Sequence, residues 1–322
     1  MTNMKKLLNF SRISAAFMLF ILIGCGNGAK PTDETPTRGD IKIQVDESFK
    51  LLIDTEVYTF ESLYKYAHIT PVYKAEGDII NDFLNDSTRN IVVSRQLTDE
   101  ETKYLTSKQI IARTTKIAYD GVALIVNRKN QDTTLRFDQL QDILSGKIKA
   151  WSQINPKSKS GDIIVVFDNN KSGNFRLIKE KFMQNTTVPA YCFAVKNNTE
   201  VLAYVKDKEN AIGVIGVNWI SDRDDTISHR FMTDIKVMGI GASGAASGSE
   251  YYKPFQGYIA EGSYPLKREV YYISRESFPG LGRGFASFTA GDHGQRIILK
   301  SGLVPATMPV RLIQVRKNFK GM

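Results

Sequence analysis

Little in this chain of 322 residues points to covalent or metal chemistry. It has only two cysteines and three histidines. His68, His229 and His293 are scattered, and none has Cys, Asp or Glu at the short spacings typical of a zinc site. No G-x-S-x-G turn occurs, which disfavours a serine hydrolase, and no G-x-x-x-x-G-K-[ST] loop occurs, so the chain is not a P-loop ATPase. We expect no catalytic residues, no cofactor and no metal.

The chain also lacks blocks of basic residues interleaved with aromatic ones, so nucleic acid is not an expected partner. Its formal net charge is +9, and three of these charges, on Lys5, Lys6 and Arg12, lie close to the N-terminus. Without them about +6 remains, a modest excess that slightly favours anionic ligands or surfaces.

The N-terminal segment has the layout of a secretory signal. Its three basic residues precede an apolar run, AAFMLFILIG, that ends at Cys25. This run is short for a helix that spans a membrane permanently. We therefore predict a cleaved signal peptide over residues 1–24.

The stretch LIGC at 22–25 resembles the lipobox of bacterial lipoproteins, in which the chain is cleaved before the cysteine and the cysteine is lipidated. A plain signal peptide with an incidental cysteine is the alternative. With Cys25 lipidated, Cys192 has no partner for an internal disulfide and is more typical of a small core residue. Residues 25–40 are polar with Gly, Pro and Thr, so they are predicted to be the lipidated cysteine and a flexible tether.

From residue 41 the sequence alternates short apolar runs with segments of helical period. The runs IKIQV at 41–45 and IIVVF at 163–167 predict strands, and helical patterns follow them. The TDEETKYLTSKQ helix begins with a capping-box pair, Thr98 and Glu101. Near the C-terminus one helix is predicted within 285–304. The order of elements predicts an α/β fold with mixed, mainly parallel sheets and helices on both faces.

Three strand-to-helix turns are candidates for binding an anion: SGN at 172–174, SF at 48–49 and SR at 94–95. A helix start leaves unpaired N–H groups and a partial positive charge, both suited to phosphate-like oxygens. An ordinary N-cap is the alternative role for Ser172. Because such turns converge at the carboxyl ends of strands in α/β folds, an anion site between them is predicted.

Several longer stretches together resemble one protein family. YDGVALIVN, LQDILSGKIKAWSQI, SGNFR, NAIGVIGV, YPLKREVYY and FASFTAGDHGQRIILKSGLVP are similar to segments of the phosphate-binding proteins of bacterial phosphate ABC importers. The resemblance covers most of 41–310. It implies a two-lobed type II periplasmic-binding-protein fold that closes on phosphate about a hinge. It also implies a discontinuous first lobe, 41–117 plus 230–322, and a second lobe at 118–229.

The resemblance further implies where the ligand binds. The family's Thr/Ser-Phe ligand turn falls on 48–49, and its S-G-T helix start falls on 172–174, with Asn in place of Thr. Together with the turn at 94–95, the predicted phosphate-binding residues are Ser48, Phe49, Ser94, Arg95, Asp168, Ser172, Gly173 and Asn174.

Three departures from the family pattern concern the ligand. Arg95 stands where the family has an acidic residue that accepts the proton of hydrogen phosphate, and Asp168 stands where it has an Arg. The family's G-S-S-G loop is replaced by AEGD at 75–78. One hypothesis is a charge exchange, in which Asp168 accepts the proton and Arg95 clamps the anion. The alternative is that the pair only bridges the lobes in the closed form.

The predicted function is capture of phosphate by a periplasmic, membrane-anchored lipoprotein of a Gram-negative type, and its delivery to ABC permease subunits in the inner membrane. We expect a monomer that is not an enzyme. Another tetrahedral oxyanion, such as sulfate, molybdate or tungstate, is an alternative ligand. A role in signalling or surface adhesion rather than transport is an alternative function, and a secreted phosphatase is disfavoured.

Overall fold

Strands and helices alternate through the described residues, 34–184, 187–221, 232–241 and 250–310, of a computed structural model. In chain order the elements are β1 (Arg38–Asp46), α1 (Lys50–Leu63), β2 (Tyr66–Lys74), α2 (Glu76–Leu84), β3 (Asn90–Val93), α3 (Asp99–Ser107), β4 (Arg113–Asn127), β5 (Thr134–Arg136), α4 (Phe137–Leu144), β6 (Ile164–Phe167), α5 (Gly173–Phe182), β7 (Cys192–Ala194), α6 (Asn198–Asp207), β8 (Ala211–Gly216), α7 (Asn218–Ser221), β9 (Ile235–Val237), β10 (Gly239–Gly241), β11 (Tyr251–Tyr252), α8 (Gln256–Glu261), β12 (Lys267–Ser274), α9 (Leu281–Ala290), α10 (Asp292–Lys300) and β13 (Val304–Pro305).

Two sheet segments share the long strand β4. The first segment has the strand order β2-β1-β3-β12-β4, and the second continues as β4-β8-β6-β7. Residues 113–121 of β4 pair with β12, whereas residues 122–126 pair with β8. We call the part built on the first segment the first lobe and the part built on the second segment the second lobe. β4 therefore passes directly from one lobe to the other.

Strand direction follows the connections between strands. β1 runs parallel to β2 and β3, and β6 runs parallel to β7 and β8, with helices between them in the chain. β12 and β4 are antiparallel to each other, and β4 is antiparallel to β8. Strands β9 and β13 also pair with β4, and β5, β10 and β11 form a small separate sheet. This mixed architecture with helices between strands confirms the predicted α/β class.

Local signals in the sequence account for most helix borders. Thr98 Oγ1 accepts a hydrogen bond from the Glu101 N–H, and the Glu101 carboxylate accepts one from the Thr98 N–H, so the predicted capping box is confirmed. The prediction of one helix within 285–304 was wrong, because α9 and α10 are separated at Gly291. The Gly291 backbone is extended (φ −87°, ψ 178°), so it cannot continue the helical hydrogen bonding.

Only some of the predicted domain borders fall within the described residues. The signal peptide at 1–24 and Cys25 lie outside the described residues, as does His229. β1 begins at Arg38, so the last three residues of the predicted tether form strand by pairing with β2. The lobe limits 41–117 plus 230–322 and 118–229 stay predictions. Strand β9, beyond 230, pairs with the part of β4 that continues into the second lobe.

Aliphatic and aromatic side chains fill one large core that continues through both lobes, and the thiol-bearing Cys192 belongs to it at 6 % exposure. Among the described residues, no helix is long and apolar enough to cross a membrane.

Glu56 is a buried carboxyl on the core-facing side of α1. It is 0 % exposed, and neither of its oxygens has a hydrogen-bond partner among the described residues. Burial raises the pKa of Glu56 from 4.5 to about 9. The carboxyl is therefore neutral at pH 7 in the folded protein, and its ionisation opposes folding.

Replacing this group by Glu56→Gln should remove a pH dependence of stability. Between the unfolded and folded pKa values, the folded state holds a proton that the unfolded state has lost. The free energy of unfolding then falls by up to about 1.4 kcal/mol per pH unit as the pH rises. Gln keeps the size and cannot ionise, so its melting temperature should exceed that of the natural protein by a margin that grows from about pH 5 to about pH 8.

Circular dichroism melts over this pH range measure the margin. The exposed Glu100, replaced by Gln, serves as the control and should give a constant offset. Parallel curves for Glu56→Gln and the natural protein would contradict a raised pKa at Glu56.

Candidate functional site

The carboxyl ends of β1, β3 and β6 meet between the two lobes. The turns that follow them, at 46–49, 94–95 and 168–174, face the start of α2 at 75–78 and the start of α6 at Asn198. We call this region the interlobe cleft. Main-chain N–H groups from both lobes converge in it, as expected for turns at the carboxyl ends of strands.

The start of α5 supplies the second lobe's part of the cleft. Ser172 Oγ accepts a hydrogen bond from the Phe175 N–H at 3.1 Å, so Ser172 is the N-cap of the helix. The same hydroxyl donates to Asp168 Oδ1 at 2.6 Å, and Asn174 Nδ2 donates to Asp168 Oδ2 at 2.9 Å. Asp168 thus binds the helix start from within its own lobe.

Asp46, the last residue of β1, joins the two lobes through its carboxylate. Its Oδ1 accepts from the Ser48 N–H at 2.9 Å, and its Oδ2 accepts from the Gly173 N–H at 3.1 Å. The side chain is 0 % exposed. Burial raises the pKa of Asp46, and the neighbouring charge of Glu76 raises it further.

Glu76, at the start of α2, makes a second bridge. Its Oε2 accepts from the Ser94 N–H at 2.6 Å and from Ser94 Oγ at 2.5 Å, while its Oε1 accepts from Arg176 Nε at 2.5 Å. Burial acts to raise the pKa of Glu76, but the Arg176 guanidinium and the Ser94 donors outweigh it and hold this pKa below its usual value. The carboxylate is therefore ionised and belongs to a buried ion pair.

Further contacts hold the lobes together around these bridges. The Gly77 N–H donates to the Lys171 carbonyl at 2.9 Å, and Lys171 Nζ lies 2.8 Å from Asp78 Oδ1. The Glu47 carboxylate accepts from both the main-chain N–H and the side-chain amide of Asn198. The cleft is therefore closed by hydrogen bonds along its length.

Burial and neighbouring carboxylates raise the pKa of Asp168 to about 7. Burial is the larger cause and the charge of Asp46 is the next, while the Ser172 hydroxyl acts in the opposite direction. Asp168 thus ionises less readily than an ordinary aspartate.

A second arginine, Arg268, lies at the cleft. The Arg268 guanidinium on β12 pairs with Asp120 on β4, with Nε 2.8 Å from Asp120 Oδ2, and lies over the Phe49 ring at 4.9 Å. Next to it Ser48 is buried. Ser48 and Phe49 therefore both lie in the cleft. The Ser48 hydroxyl makes no well-formed hydrogen bond among the described residues, and the Phe49 ring packs against the Arg268 guanidinium.

Arg95 lies apart from the other predicted site residues. Its guanidinium makes a two-pronged contact with Glu101, with both distances at 2.7 Å, inside the first lobe. Asp168 bonds to Ser172, Asn174 and Asn198 instead. The alternative in which Arg95 and Asp168 bridge the lobes is therefore wrong for this structure.

Sequence reasoning missed the residues that do bridge the lobes. They include Asp46, Glu47, Glu76, Arg176 and Asn198. Glu76 lies in the AEGD stretch at 75–78, Asp46 and Glu47 immediately precede the predicted turn at 48–49, and Arg176 lies one turn after Ser172 in the SGNFR stretch. Among the described residues, no group of three or more His, Cys, Asp and Glu is placed to hold a metal ion.

Comparisons with known proteins agree on one family. A family described as a PBP superfamily domain matches residues 30–293. The phosphate-binding protein PstS of Staphylococcus saprophyticus is 28 % identical over 269 residues, which is 83 % of this chain and 80 % of that protein. The PstS of Staphylococcus aureus is 26 % identical over 258 residues, which is 80 % of this chain and 75 % of that protein.

Solved structures share the fold. A protein from Clostridium perfringens with bound phosphate superposes with a TM-score of 0.68 at 21 % identity, covering 83 % of this chain and 99 % of that one. An ABC-type phosphate transport receptor from Vibrio cholerae gives a TM-score of 0.62 at 20 % identity, covering 84 % of this chain and 100 % of that one. These neighbours support the two-lobed architecture.

Substitutions of Glu76 and Arg176 should have strongly coupled effects on the free energy of unfolding. Arg176→Gln leaves Glu76, which is 2 % exposed, as a buried charge with fewer partners, so it should cost about 3 kcal/mol. Adding Glu76→Gln removes that charge, so the double variant should regain at least about 1 kcal/mol relative to additive effects. Urea unfolding of the four proteins in this cycle measures the coupling.

The control is the exposed ion pair of Arg296 and Asp292, whose side chains are 70 % and 62 % exposed. Arg296→Gln should change the free energy of unfolding by less than about 0.5 kcal/mol. Additive effects of Glu76→Gln and Arg176→Gln would contradict the interlobe ion pair.

Proposed function

This chain belongs to the PBP superfamily, and on that premise we propose that it is an extracytoplasmic solute-binding protein that captures phosphate in the interlobe cleft. Delivery to the permease subunits of an ABC importer would follow, as the names of its relatives indicate. The protein acts by binding and release rather than by covalent chemistry, and it is not an enzyme.

One observation carries this proposal. The N–H groups of Ser48, Ser94 and Gly173, from both lobes, all donate to carboxyl oxygens of Asp46 or Glu76 in the cleft. Donors that hold carboxylate oxygens also suit phosphate oxygens, and the positive end of the α5 dipole favours either anion. Two arginines, Arg176 beside Glu76 and Arg268 beside Phe49, border the cleft and can neutralise a bound anion.

The predicted ligand residues have different roles in this proposal. Ser48, Ser94, Ser172, Gly173 and Asn174 line the cleft and offer N–H, hydroxyl or amide donors. The Phe49 ring packs against the Arg268 guanidinium. Arg95 could bind the anion only by giving up its contact with Glu101. Arg176 replaces Arg95 as the better placed clamp.

Asp168 is the residue on which we base ligand selectivity. Hydrogen phosphate carries a proton that a carboxylate can accept, whereas sulfate carries none, so an ionised Asp168 favours phosphate and disfavours sulfate. Sulfate, molybdate and tungstate stay the alternative ligands, and a role in signalling or adhesion stays the alternative function.

Asp168→Asn should reduce selectivity without abolishing the fold. Calorimetric titration of the purified protein with phosphate and sulfate gives the ratio of the two affinities, and this ratio should fall at least about tenfold in the variant, or about 1.4 kcal/mol. Asp132→Asn is the matched control, because Asp132 is also buried and also accepts from an Asn and a Ser, but lies outside the cleft. An unchanged ratio in Asp168→Asn would contradict the proton-acceptor role.

We also propose that Cys25 carries the membrane anchor, since the LIGC stretch resembles a lipobox. The lipid and the tether that follows it would hold the binding lobes at the outer face of a membrane, close to the permease. A monomer is sufficient for this arrangement, because both lobes of the cleft come from one chain.

Cys25→Ser should release the protein from the membrane. In the expressing bacterium, labelling with a radioactive fatty acid should mark the natural protein and not the variant, and the variant should move to the soluble fraction. Cys192→Ser is the control and should keep the label, because Cys192 is buried in the core. Equal labelling of both variants and the natural protein would argue against the anchor at Cys25.

A further inference from the structure

The donors of the interlobe cleft are already occupied by the protein's own carboxylates. Asp46 takes the N–H groups of Ser48 and Gly173, one from each lobe. Glu76 takes the N–H and hydroxyl of Ser94 in the first lobe and the guanidinium of Arg176 in the second. Each carboxylate therefore does what a bound anion would do, because it joins donors of the two lobes.

The space at the start of α5 is filled by these oxygens. A methyl group placed on the Cα of Gly173 would lie 2.4 Å from Ser94 Oγ, 2.9 Å from Asp46 Oδ2 and 3.1 Å from Glu76 Oε2. A phosphate group is much larger than a methyl group, so it cannot enter here unless both carboxylates move. Phosphate and the two side chains are alternatives at the same position.

Charge adds to this exclusion. Asp46, Glu47, Glu76 and Asp168 are all buried at the cleft or bonded across it, whereas Arg176 is the cation that faces Glu76. Arg268 pairs with one oxygen of the buried Asp120, and its terminal nitrogens make no well-formed hydrogen bond among the described residues. An incoming anion would meet the charge of Glu76, whose pKa is held below its usual value, in a region of low dielectric where repulsion is stronger than in water.

Buried donors of the cleft are left without a well-formed hydrogen bond in the described part of the chain, namely Ser48 Oγ and the terminal nitrogens of Arg268. Ser48 Oγ is 0 % exposed and lies beside the Asp46 carboxyl, which also accepts a hydrogen bond from the N–H of the same residue. Buried donors without a well-formed hydrogen bond are uncommon, and their presence here fits a second arrangement of the cleft in which an anion replaces Asp46. A phosphate oxygen that replaces Asp46 would lie within reach of both Ser48 groups.

We propose that Asp46 and Glu76 are a built-in substitute for the ligand, a latch that holds the cleft closed without phosphate and that phosphate must displace. The inference rests on phosphate being the ligand of this cleft. A tethered group competes at an effective concentration on the order of mM or above, so the latch lowers the affinity for free phosphate. It also means that the ligand-free protein is already closed.

Glu76→Ser is the variant that opens the latch. It removes one carboxylate and leaves Ser94 and Arg176 available, and Arg176 keeps its ion pair with Glu180 at 2.9 Å. In calorimetry the variant should bind phosphate at least about tenfold more tightly than the natural protein. In small-angle X-ray scattering without phosphate, it should have a larger radius of gyration, which falls when phosphate is added.

Two further variants complete the experiment. Glu76→Gln keeps the side-chain size and should shift both measurements in the same direction by a smaller amount, which guards against a loss of folding in Glu76→Ser. Asp82→Ser is the control, because Asp82 accepts from Gln44 and Lys74 inside the first lobe and does not bridge the cleft. It should leave phosphate affinity and radius of gyration unchanged.

The outcomes separate the latch from the proposed function. Tighter binding by Glu76→Ser with an expanded ligand-free form supports the latch. Binding by the natural protein that equals or exceeds binding by folded Glu76→Ser and Glu76→Gln overturns it and leaves phosphate capture intact. Binding by the variants alone supports the latch and contradicts phosphate capture by the natural chain, whereas no binding by any of them overturns both.

Discussion

Two buried carboxylates at the N-terminal end of α5 hold the lobes of this protein against each other. Burying an ionised carboxylate costs several kcal/mol unless donors replace the lost water. Asp46 and Glu76 receive those donors from Ser48, Ser94 and Gly173, and Glu76 also receives a cation. The closed cleft is therefore the arrangement in which these two carboxyl groups have protein donors, and opening it exposes them to water again.

The strands that cross between the lobes complement this interaction. β4 pairs with β12 over its first part and with β8 over its second, so the lobes share a continuous backbone connection. A hinge of this kind permits rotation of the lobes while leaving each sheet intact. In the proposed latch, the position of the lobes is decided by whichever oxygens occupy the cleft, whether they belong to the chain or to a ligand.

Local patterns in the sequence were sufficient for much of the fold. Alternating apolar runs and helical segments predicted the order of elements, and Thr98 with Glu101 marked a helix start correctly. The break at Gly291 was missed because the flanking residues continue a helical pattern, and a single extended glycine gives no periodic signal. For the site, the turns containing Ser48, Ser94 and Gly173 were identified as meeting points, but their partners were not, since hydrogen bonds between distant turns leave no trace in local spacing.

The sequence by itself determined the α/β class, the succession of strands and helices, and the turns whose N–H groups can bind an anion, because each depends on residues close together in the chain. Only the tertiary structure decided which acceptors those N–H groups meet. Arg95 and Asp168, paired in the sequence hypothesis, bond to different partners, whereas Asp46 reaches Gly173 across 127 residues and Glu76 reaches Arg176 across 100. Which charge faces which donor follows from how the two lobes close, and that depends on the packing of the whole chain.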